Sequence, residues 1–455
     1  MIEALDPQTR RVLAAALVAL AWLALCALIA GREVLRRRAR LRAVADLARG
    51  TGEPVLVAFA SQTGFAEDLA QATATALTAS GTPVTLRDLS EVTAADLTAA
   101  RRALFVVSTT GEGDAPDPAR AFIRDVIGTR PDLSGLKHGV LALGDSSYAQ
   151  YCAFGRSLDG WLTDCGAQPL FDRVEVDDGD PAALQTWRER LAALTGQGEA
   201  VAWTEPAHGA WRLAGRRHLN PGSPGGEAWS VRLEPVEGPV DWSAGDLFEL
   251  VTETGDATRD YSIASVPEDG GVELIVRLVQ TEDGRLGLGS GWLCRLAPEG
   301  GILQGRVRTN RSFHAPDGDA PLILIGAGTG LAGLRAHIKA RAAQGRHRNW
   351  LLFGERTLAH DYLHREELEA WTASGVLQRL DLAFSRDQAE RIYVQDRLRA
   401  AAHEVRASVA EGATVLVCGA LEGMSQDVHA ALTDILGAPA LDALAEAGRY
   451  RRDVY

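Results

Sequence analysis

The segment at residues 55–70, VLVAFASQTGFAEDLA, joins a short apolar run to a turn of small polar residues and then to a stretch with helical periodicity. The run at 55–60 predicts a buried strand, and residues 66–79 predict a helix. A glycine-containing turn before a helix presents free backbone N–H groups to a phosphate. No Gly-Lys-Ser/Thr sequence follows the turn, so it is not a nucleoside-triphosphate loop.

Two further apolar runs, at 104–108 and 139–144, also predict buried strands, and a polar loop follows each of them. Apolar strands that alternate with helices are typical of a parallel, doubly wound sheet, whose ligands bind at the carboxyl ends of the strands. We therefore expect the first turn to converge with the loops STTGEGDAP (108–116) and LGDSSY (143–148). Tyr148 either stacks on an aromatic ring there or is an ordinary exposed loop residue.

The pattern changes after a polar, glycine-rich linker at 196–209. From residue 211 to about 315, short strands alternate with Gly, Pro and Asp turns, which is typical of an antiparallel barrel. A second doubly wound pattern begins at Pro321, with apolar runs at 322–325, 350–353 and 415–418.

An uncharged apolar stretch of 19 residues without proline lies near the start of the chain, at 12–30. A helix of that length just spans a bilayer core of about 30 Å. Six arginines follow at 32–42, and the positive-inside rule places them in the cytoplasm. A signal peptide fits less well, because the cationic cluster follows the apolar run. We expect a single-pass protein of the cytoplasmic (inner) membrane with its catalytic domains in the cytoplasm.

The predicted fold class is multidomain α/β, with an antiparallel β-barrel between two doubly wound domains and a transmembrane helix before them. The predicted boundaries are 1–50 for the anchor and its basic linker, 51–200 for the first α/β domain, 201–318 for the barrel domain and 319–455 for the second α/β domain.

Composition narrows the class of partner. The net charge of −13 argues against nucleic acid, because phosphate binding needs clustered cations. It suits a partner with a basic docking face, or it serves solubility alone. The five cysteines form no CxxC pair, which argues against a zinc site, an iron–sulfur cluster or a disulfide framework, and we predict no metal site.

The three loops of the first domain resemble those of the flavodoxin domain in the diflavin reductase family, which comprises cytochrome reductases and sulfite reductase flavoproteins. The resemblance implies an FMN site with Tyr148 stacked on the ring. The residues it implies for the phosphate are Ser61, Gln62, Thr63, Gly64, Phe65 and Ala66. Those it implies around the ring are Thr109, Thr110, Gly111, Glu112, Gly113, Leu143, Gly144 and Asp145.

Two segments of the barrel resemble the family's FAD site. In the Arg-x-Tyr-Ser motif, Arg259 is expected to pair with a pyrophosphate, Tyr261 to stack on the flavin and Ser262 to hydrogen-bond its reactive nitrogen. The second segment is expected to supply a further phosphate contact through Gly287, Gly289 and Ser290, although a bulkier residue is usual at Gly289. Residues 310–313 resemble the segment that closes this domain, or are an ordinary linking strand.

One family feature is absent. Larger members insert a helical connecting domain before the Arg-x-Tyr-Ser motif, whereas here Asp246 and Arg259 are only 13 positions apart. The barrel is therefore expected to be compact, and the resemblance does not indicate how the first domain docks on it.

The second α/β domain carries two segments that resemble the family's NADPH site. Gly328, Thr329 and Gly330 lie in a turn that suits a pyrophosphate, although its spacing is not GxGxxG and Gly333 stands where proline is usual. Ser385 and Arg386 offer the hydroxyl and guanidinium that a 2′-phosphate needs; a solvated charged loop is the alternative. The resemblance also implies that Arg391, Tyr393 and Gln395 belong to the NADPH site.

Four residues are predicted to serve hydride transfer. The resemblance places Ser262, Cys418 and Asp453 along the hydride path and Tyr455 over the FAD ring. Cys418 would orient and stabilise rather than act as a nucleophile, and packing alone is the alternative. Tyr455 would have to move before nicotinamide stacks on the flavin.

The sequence therefore predicts an NADPH-dependent diflavin oxidoreductase that passes electrons through FAD and FMN to an acceptor protein. The first expectation for the acceptor is a haem protein at the membrane, in the manner of an NADPH–haemoprotein reductase. A sulfite reductase haemoprotein subunit is the second, and a ferric-chelate or siderophore reductase activity is the third. A non-enzymatic flavin-binding scaffold is a different class, against which the NADP and FAD motifs argue.

Overall fold

The computed structural model describes residues 53–110, 113–146, 149–196, 207–255, 257–281 and 283–455. The predicted membrane segment and three predicted FMN-site residues, Gly111, Glu112 and Tyr148, lie outside the described residues. Within those residues, no single helix is long and apolar enough to cross a membrane. One pair of helices, Gly423–Leu436 and Ala438–Glu446, has the combined length and composition for it but is bent by 112°.

The first α/β domain is a parallel sheet with helices on both faces, as predicted. Its strands are β1 (Val55–Ala60), β2 (Val84–Asp88), β3 (Arg102–Ser108), β4 (Lys137–Gly144), β5 (Gln168–Pro169) and β6 (Val174–Asp177). Its helices are α1 (Phe65–Ala79), α2 (Ala94–Ala99), α3 (Arg120–Asp125), α4 (Ala153–Asp164) and α5 (Pro181–Thr195). The strand order is β2-β1-β3-β4-β5, and β6 also pairs with β4.

Burial on both faces explains why these strands are apolar throughout. Successive side chains of a strand point to opposite faces. Leu56 packs on one face with Phe105 and Phe122, and Val57 packs on the other with Trp187. Helix α1 begins after Gly64, whose φ of 88° a glycine adopts without steric cost.

The barrel domain is antiparallel and closed. Its strands are β7 (Gly209–His218), β8 (Ala228–Pro235), β9 (Leu247–Val251), β10 (Thr258–Ser262), β11 (Val272–Arg277) and β12 (Ile302–Arg308). The order is β10-β9-β12-β7-β8-β11, and an antiparallel bridge between Ile263 and Leu274 joins the two ends. A short helix, α6 (Leu288–Gly291), continues into a π-helical turn at Trp292–Leu296.

The second α/β domain is again a parallel sheet, in the order β15-β14-β13-β16-β17. Its strands are β13 (Leu322–Ala327), β14 (Asn349–Glu355), β15 (Arg379–Phe384), β16 (Thr414–Gly419) and β17 (Tyr450–Val454). Its helices are α7 (Leu331–Ala343), α8 (Arg365–Ala373), α9 (Val394–Ala400), α10 (Ala402–Ala410), α11 (Gln426–Leu436) and α12 (Ala438–Glu446). Strand β17 pairs with β16 at the edge of the sheet.

A buried arginine joins the barrel domain to the second α/β domain. Arg335 on α7 is 5% exposed and donates to the carbonyl oxygen of Ala264 at 2.8 Å and to the carboxylate of Glu273 at 2.7 Å. The same guanidinium donates to both carboxylate oxygens of Glu367 on α8. A buried charge is tolerated only when it is paired, so this network fixes the two domains together.

A second ion pair, which is partly buried, joins the first α/β domain to the second α/β domain. Asp117 accepts two hydrogen bonds from Arg452 on β17, at 3.0 and 2.5 Å. Gln62 lies beside the pair: its Oε1 accepts from the Asp117 N–H at 2.9 Å, and its Nε2 donates to the Arg452 carbonyl at 3.0 Å. Burial alone raises the pKa of Asp117, but the Arg452 guanidinium outweighs it and lowers that pKa below its ordinary value.

Candidate active site

The three predicted loops of the first α/β domain meet at the carboxyl ends of β1, β3 and β4. They line a cavity of about 440 Å³, the first cavity, with residues that include Gln62, Thr63, Phe65, Thr109, Thr110, Leu143, Gly144 and Asp145. The turn before α1 is held by a hydrogen bond from the Ala66 N–H to the Ser61 hydroxyl, at 3.2 Å. Gly113, in the second loop, has a φ of 109°.

The opposite wall of the first cavity comes from the other two domains. Arg259, Asp260 and Arg308 of the barrel domain line it, together with Tyr455. Arg259, predicted to meet a pyrophosphate, lies at the domain boundary with Nη1 3.4 Å from the carboxylate of Asp178. A ring held in the first cavity therefore faces the barrel domain directly.

The second cavity, of about 420 Å³, lies within the barrel and reaches the second α/β domain. Its lining includes five residues that the sequence predicts for the FAD site: Tyr261, Ser262, Gly287, Gly289 and Ser290. Three large side chains on its wall are unusually exposed: Val279 at 54%, Leu288 at 55% and Tyr455 at 55%. Apolar walls with a few polar groups are typical of cofactor pockets, and these residues fit a flat flavin ring.

The structure explains why glycine stands at position 289, where the family has a bulkier residue. A Cβ atom at Gly289 would lie 2.5 Å from the Tyr261 hydroxyl. The neighbouring Ser290 hydroxyl accepts a hydrogen bond from the Val279 N–H at 3.1 Å, which fastens α6 to the end of β11. The loss of side-chain volume at 289 therefore makes room for the tyrosine of the motif.

Three residues predicted along the hydride path come together from two domains. The Ser262 hydroxyl donates to Asp453 Oδ2 at 2.6 Å, and the Cys418 thiol lies 3.6 Å from the same oxygen. Burial raises the pKa of Asp453, and burial also raises the pKa of Cys418 well above its ordinary value. A thiol of raised pKa is a poor nucleophile, so this cluster suits orientation and proton holding rather than covalent catalysis.

Tyr455 is held where the cavities meet. Its backbone N–H donates to the Gly419 carbonyl at 3.2 Å, and its carbonyl accepts from the Leu421 N–H at 2.9 Å. Its hydroxyl lies 3.1 Å from the Thr329 hydroxyl. The ring lines the first, second and third cavities, so it lies on the route between them.

The third cavity, of about 680 Å³, lies in the second α/β domain. The predicted residues that line it are Gly328, Thr329, Ser385, Arg386, Tyr393 and Gln395. Tyr393 is 39% exposed, which leaves its ring available for stacking, and Gln395 donates to Asp427 at 3.0 Å. Arg391 is exposed and is not among the lining residues. The hydroxyl of Ser385 and the guanidinium of Arg386, on adjacent residues, fit a 2′-phosphate.

The unusual spacing of the glycine-rich turn has a steric cause. A Cβ atom at Gly330 would lie 2.0 Å from the carbonyl oxygen of Cys418, so the turn presses directly on the end of β16. Gly328 adopts a φ of 59°, which opens the turn towards the third cavity. The third glycine thus permits contact between two strand ends, and the sequence motif gave no indication of this contact.

Comparisons with known proteins agree with this arrangement. The flavodoxin family model matches residues 57–189, and the oxidoreductase NAD-binding domain model matches residues 324–430. Fold and site therefore define an NADPH-dependent flavoprotein oxidoreductase whose cofactors are FMN, FAD and NADPH.

Similar proteins narrow the class further. The chain is 31% identical over 534 positions to the sulfite reductase [NADPH] flavoprotein alpha-component of Vibrio cholerae, with 88% of this chain and 87% of that protein covered. The corresponding protein of Vibrio parahaemolyticus is 30% identical, with 91% and 88% covered. That of Neisseria meningitidis serogroup C is 29% identical, with 89% and 90% covered. The chain belongs to the diflavin reductase family that includes these flavoproteins. The 534 aligned positions exceed its 455 residues, so the relatives contain segments without a counterpart here.

Replacing Asp453 by asparagine tests the cluster around the hydride path. Asp453→Asn keeps the shape of the side chain and an acceptor for Ser262 but removes the charge. We expect the rate of flavin reduction by NADPH, measured by stopped-flow absorbance, to fall about 100-fold. Asp434→Asn makes the same charge change at an exposed site on α11 and is expected to leave the rate unchanged. A wild-type rate in Asp453→Asn would contradict the assignment.

Deleting Tyr455 tests whether its ring competes with nicotinamide. The 2′-phosphate gives NADPH binding energy that NADH lacks, and that energy helps to displace the ring. Without the ring, we expect the ratio of kcat/KM for NADPH to that for NADH to fall about tenfold or more, which corresponds to about 1.4 kcal/mol. Tyr455→Phe keeps the ring and loses only the contact with Thr329, so its ratio should stay near that of the wild type. An unchanged ratio in the deletion counts against the idea.

Proposed function

We propose that this protein is the electron-donating flavoprotein of a sulfite reductase, passing electrons from NADPH through FAD and FMN to a haemoprotein subunit. The observation that carries the proposal is the continuity of the three cavities. Arg259, Asp260 and Tyr455 line both the first and the second, and Arg277 and Thr329 join Tyr455 in lining both the second and the third. If the third, second and first cavities hold NADPH, FAD and FMN, the cofactors lie in the order in which electrons must pass between them.

Bound flavins accept hydride from NADPH and release electrons one at a time, and the protein supplies binding, orientation and electrostatics. Here Ser385 and Arg386 would hold the 2′-phosphate, while the turn at Gly328 would receive the pyrophosphate. Ser262 and Asp453 would fix polar atoms beside the ring in the second cavity. Tyr455 would cover that ring until nicotinamide arrives.

The identity of the acceptor rests on the relatives. Their name, sulfite reductase [NADPH] flavoprotein alpha-component, favours a sulfite reductase haemoprotein over a separate haem protein at the membrane. The membrane haem protein, which the sequence suggested first, is therefore the second candidate, supported by the apolar segment at 12–30. Ferric-chelate reduction ranks third, since nothing beyond flavin chemistry favours it.

The test is NADPH oxidation by the purified chain with two acceptors, cytochrome c and a sulfite reductase haemoprotein subunit. We expect one FAD and one FMN per chain, a strong preference for NADPH over NADH, and sulfite reduction only when the haemoprotein is present. Reduction of cytochrome c without any sulfite reduction would leave the membrane haem protein as the acceptor. No NADPH oxidation would overturn the proposal.

A variant of the first cavity tests the order of transfer. Gly113→Val places a side chain at a φ of 109° and within 2.8 Å of Gln150, which closes the loop around the first cavity. In the same assay this variant should lose FMN and acceptor reduction, yet keep FAD and its reduction by NADPH. Gly135→Val adds the same volume where no atom lies within 4 Å of its Cβ, so it should behave as the wild type.

We also propose that residues 12–30 anchor the protein in the cytoplasmic membrane with its cofactor domains in the cytoplasm. The support is the length of the apolar run and the arginines that follow it. Fractionation of cells that produce the full chain should place NADPH-driven cytochrome c reduction in the membrane pellet. A chain that begins at residue 45 should appear in the supernatant, and equal distribution of the two would refute the anchor.

A further inference from the structure

Arg277, at the end of β11, reaches from the barrel domain into the second α/β domain. Its Nη1 donates to the Gly226 carbonyl at 2.5 Å, and its Nη2 donates to the carboxylate of Glu355 at the end of β14. The Glu355 side chain is 4% exposed, and that of Arg277 is 28% exposed. Neither residue belongs to a motif that indicated a cofactor site.

The pair lies directly beside the glycine-rich turn. A Cβ atom at Gly328 would be 3.2 Å from Arg277 Nη2 and 3.4 Å from Glu355 Oε1. Glycine at this position therefore leaves the guanidinium in contact with the turn whose backbone N–H groups suit a pyrophosphate. Arg277 also lines both the second and the third cavity, so it lies between the cavities proposed here for the flavin and the dinucleotide.

Glu355 occupies the end of the second strand in the order β13, β14, β15. In doubly wound dinucleotide-binding domains, an acidic residue there typically binds the ribose 2′-hydroxyl of NAD. Here Oε1 accepts from Arg277, and Oε2 accepts from the Arg356 N–H at 2.9 Å. Its charge is thus matched by the guanidinium, and the carboxylate holds that guanidinium in place.

The charge at this point decides what the turn binds. A buried carboxylate next to a pyrophosphate repels it, and burial strengthens the repulsion because the local dielectric constant is low. Arg277 removes the repulsion and adds attraction. A guanidinium has five N–H donors, and the contacts with Gly226 and Glu355 use only part of them.

We propose that Arg277 is a pyrophosphate-binding residue of the NADPH site, contributed by the barrel domain, and that Glu355 is its positioning residue. The dinucleotide is then held from both sides of the domain boundary, by the turn at Gly328 and by Arg277. Because Arg277 also borders the second cavity, this contact fixes the nicotinamide end relative to the flavin ring. The inference rests on NADPH being the electron donor and assigns a further residue to its binding.

The experiment measures binding of NADP⁺ and of adenosine 2′-monophosphate to the flavin-loaded protein by calorimetry. Adenosine 2′-monophosphate carries the 2′-phosphate but no pyrophosphate. In Arg277→Gln, we expect the affinity for NADP⁺ to fall about 10- to 100-fold, the usual effect of losing a hydrogen bond to a charged group. Its affinity for adenosine 2′-monophosphate should not change. Arg386→Gln should weaken both ligands.

A double variant separates attraction from repulsion. Arg277→Gln leaves Glu355 as a lone buried carboxylate, whereas Arg277→Gln with Glu355→Gln removes both charges. The double variant should bind NADP⁺ more tightly than Arg277→Gln and more weakly than the wild type. If Arg277→Gln cannot be purified, the double variant alone must still show weaker NADP⁺ binding with unchanged adenosine 2′-monophosphate binding.

Arg232→Gln is the matched control, since Arg232 lies on the same barrel, pairs with Glu234 and is 40% exposed. It should bind both ligands as the wild type does. Wild-type NADP⁺ affinity in Arg277→Gln, or equal weakening of both ligands, would overturn the role of Arg277. A wild-type protein that binds neither ligand would instead overturn the NADPH assignment, so the two failures are distinguishable.

Discussion

The pairing of β17 with β16 is the interaction on which the rest of the site depends. Cys418 lies opposite Asp453 in this ladder, so the strand register brings together the residues predicted along the hydride path. A shift by one residue would turn Asp453 to the other face of the sheet. The preceding residue, Arg452, holds the first α/β domain through Asp117. The five residues of β17, at the edge of the sheet, therefore determine where Asp453, Arg452 and the ring of Tyr455 lie.

Close backbone contact is the second constraint. A Cβ atom at Gly64 would lie 2.4 Å from the Thr309 carbonyl, and one at Gly330 would lie 2.0 Å from the Cys418 carbonyl. The first contact joins the turn before α1 of the first domain to the barrel domain. The second contact places the glycine-rich turn after β13 against the end of β16. At Gly64 the absence of a side chain lets the first α/β domain approach the barrel domain, and at Gly330 it lets two segments of the second α/β domain approach each other.

Much of the fold could be predicted from the sequence, because buried strands leave a clear pattern of apolar residues. Strands such as β1 and β13 are covered on both faces, so they appear as continuous apolar runs, and their parallel order follows. The residues expected along the hydride path could be named from short motifs, and the structure places Ser262 and Asp453 in contact. Their catalytic roles stay predictions.

Other features could not be predicted, for identifiable reasons. Strand β17 looks like a polar tail, because Arg452 and Asp453 find their charge and hydrogen-bond partners in other domains rather than in water. The pair of Arg277 and Glu355 joins positions 78 residues apart, and neither residue stands in a recognisable motif. Such pairs appear only once the fold brings two chain segments together.

The docking of the first α/β domain also bears on modularity. This domain contacts Arg452 of the second α/β domain through Gln62, in the turn before α1, and through Asp117, directly after the loop at 108–116. A substitute domain would need that glutamine, that carboxylate and a glycine at the position of Gly64. Recombination between related reductases is therefore constrained at the loops predicted to bind the flavin. A domain boundary drawn in the linker would not reveal this constraint.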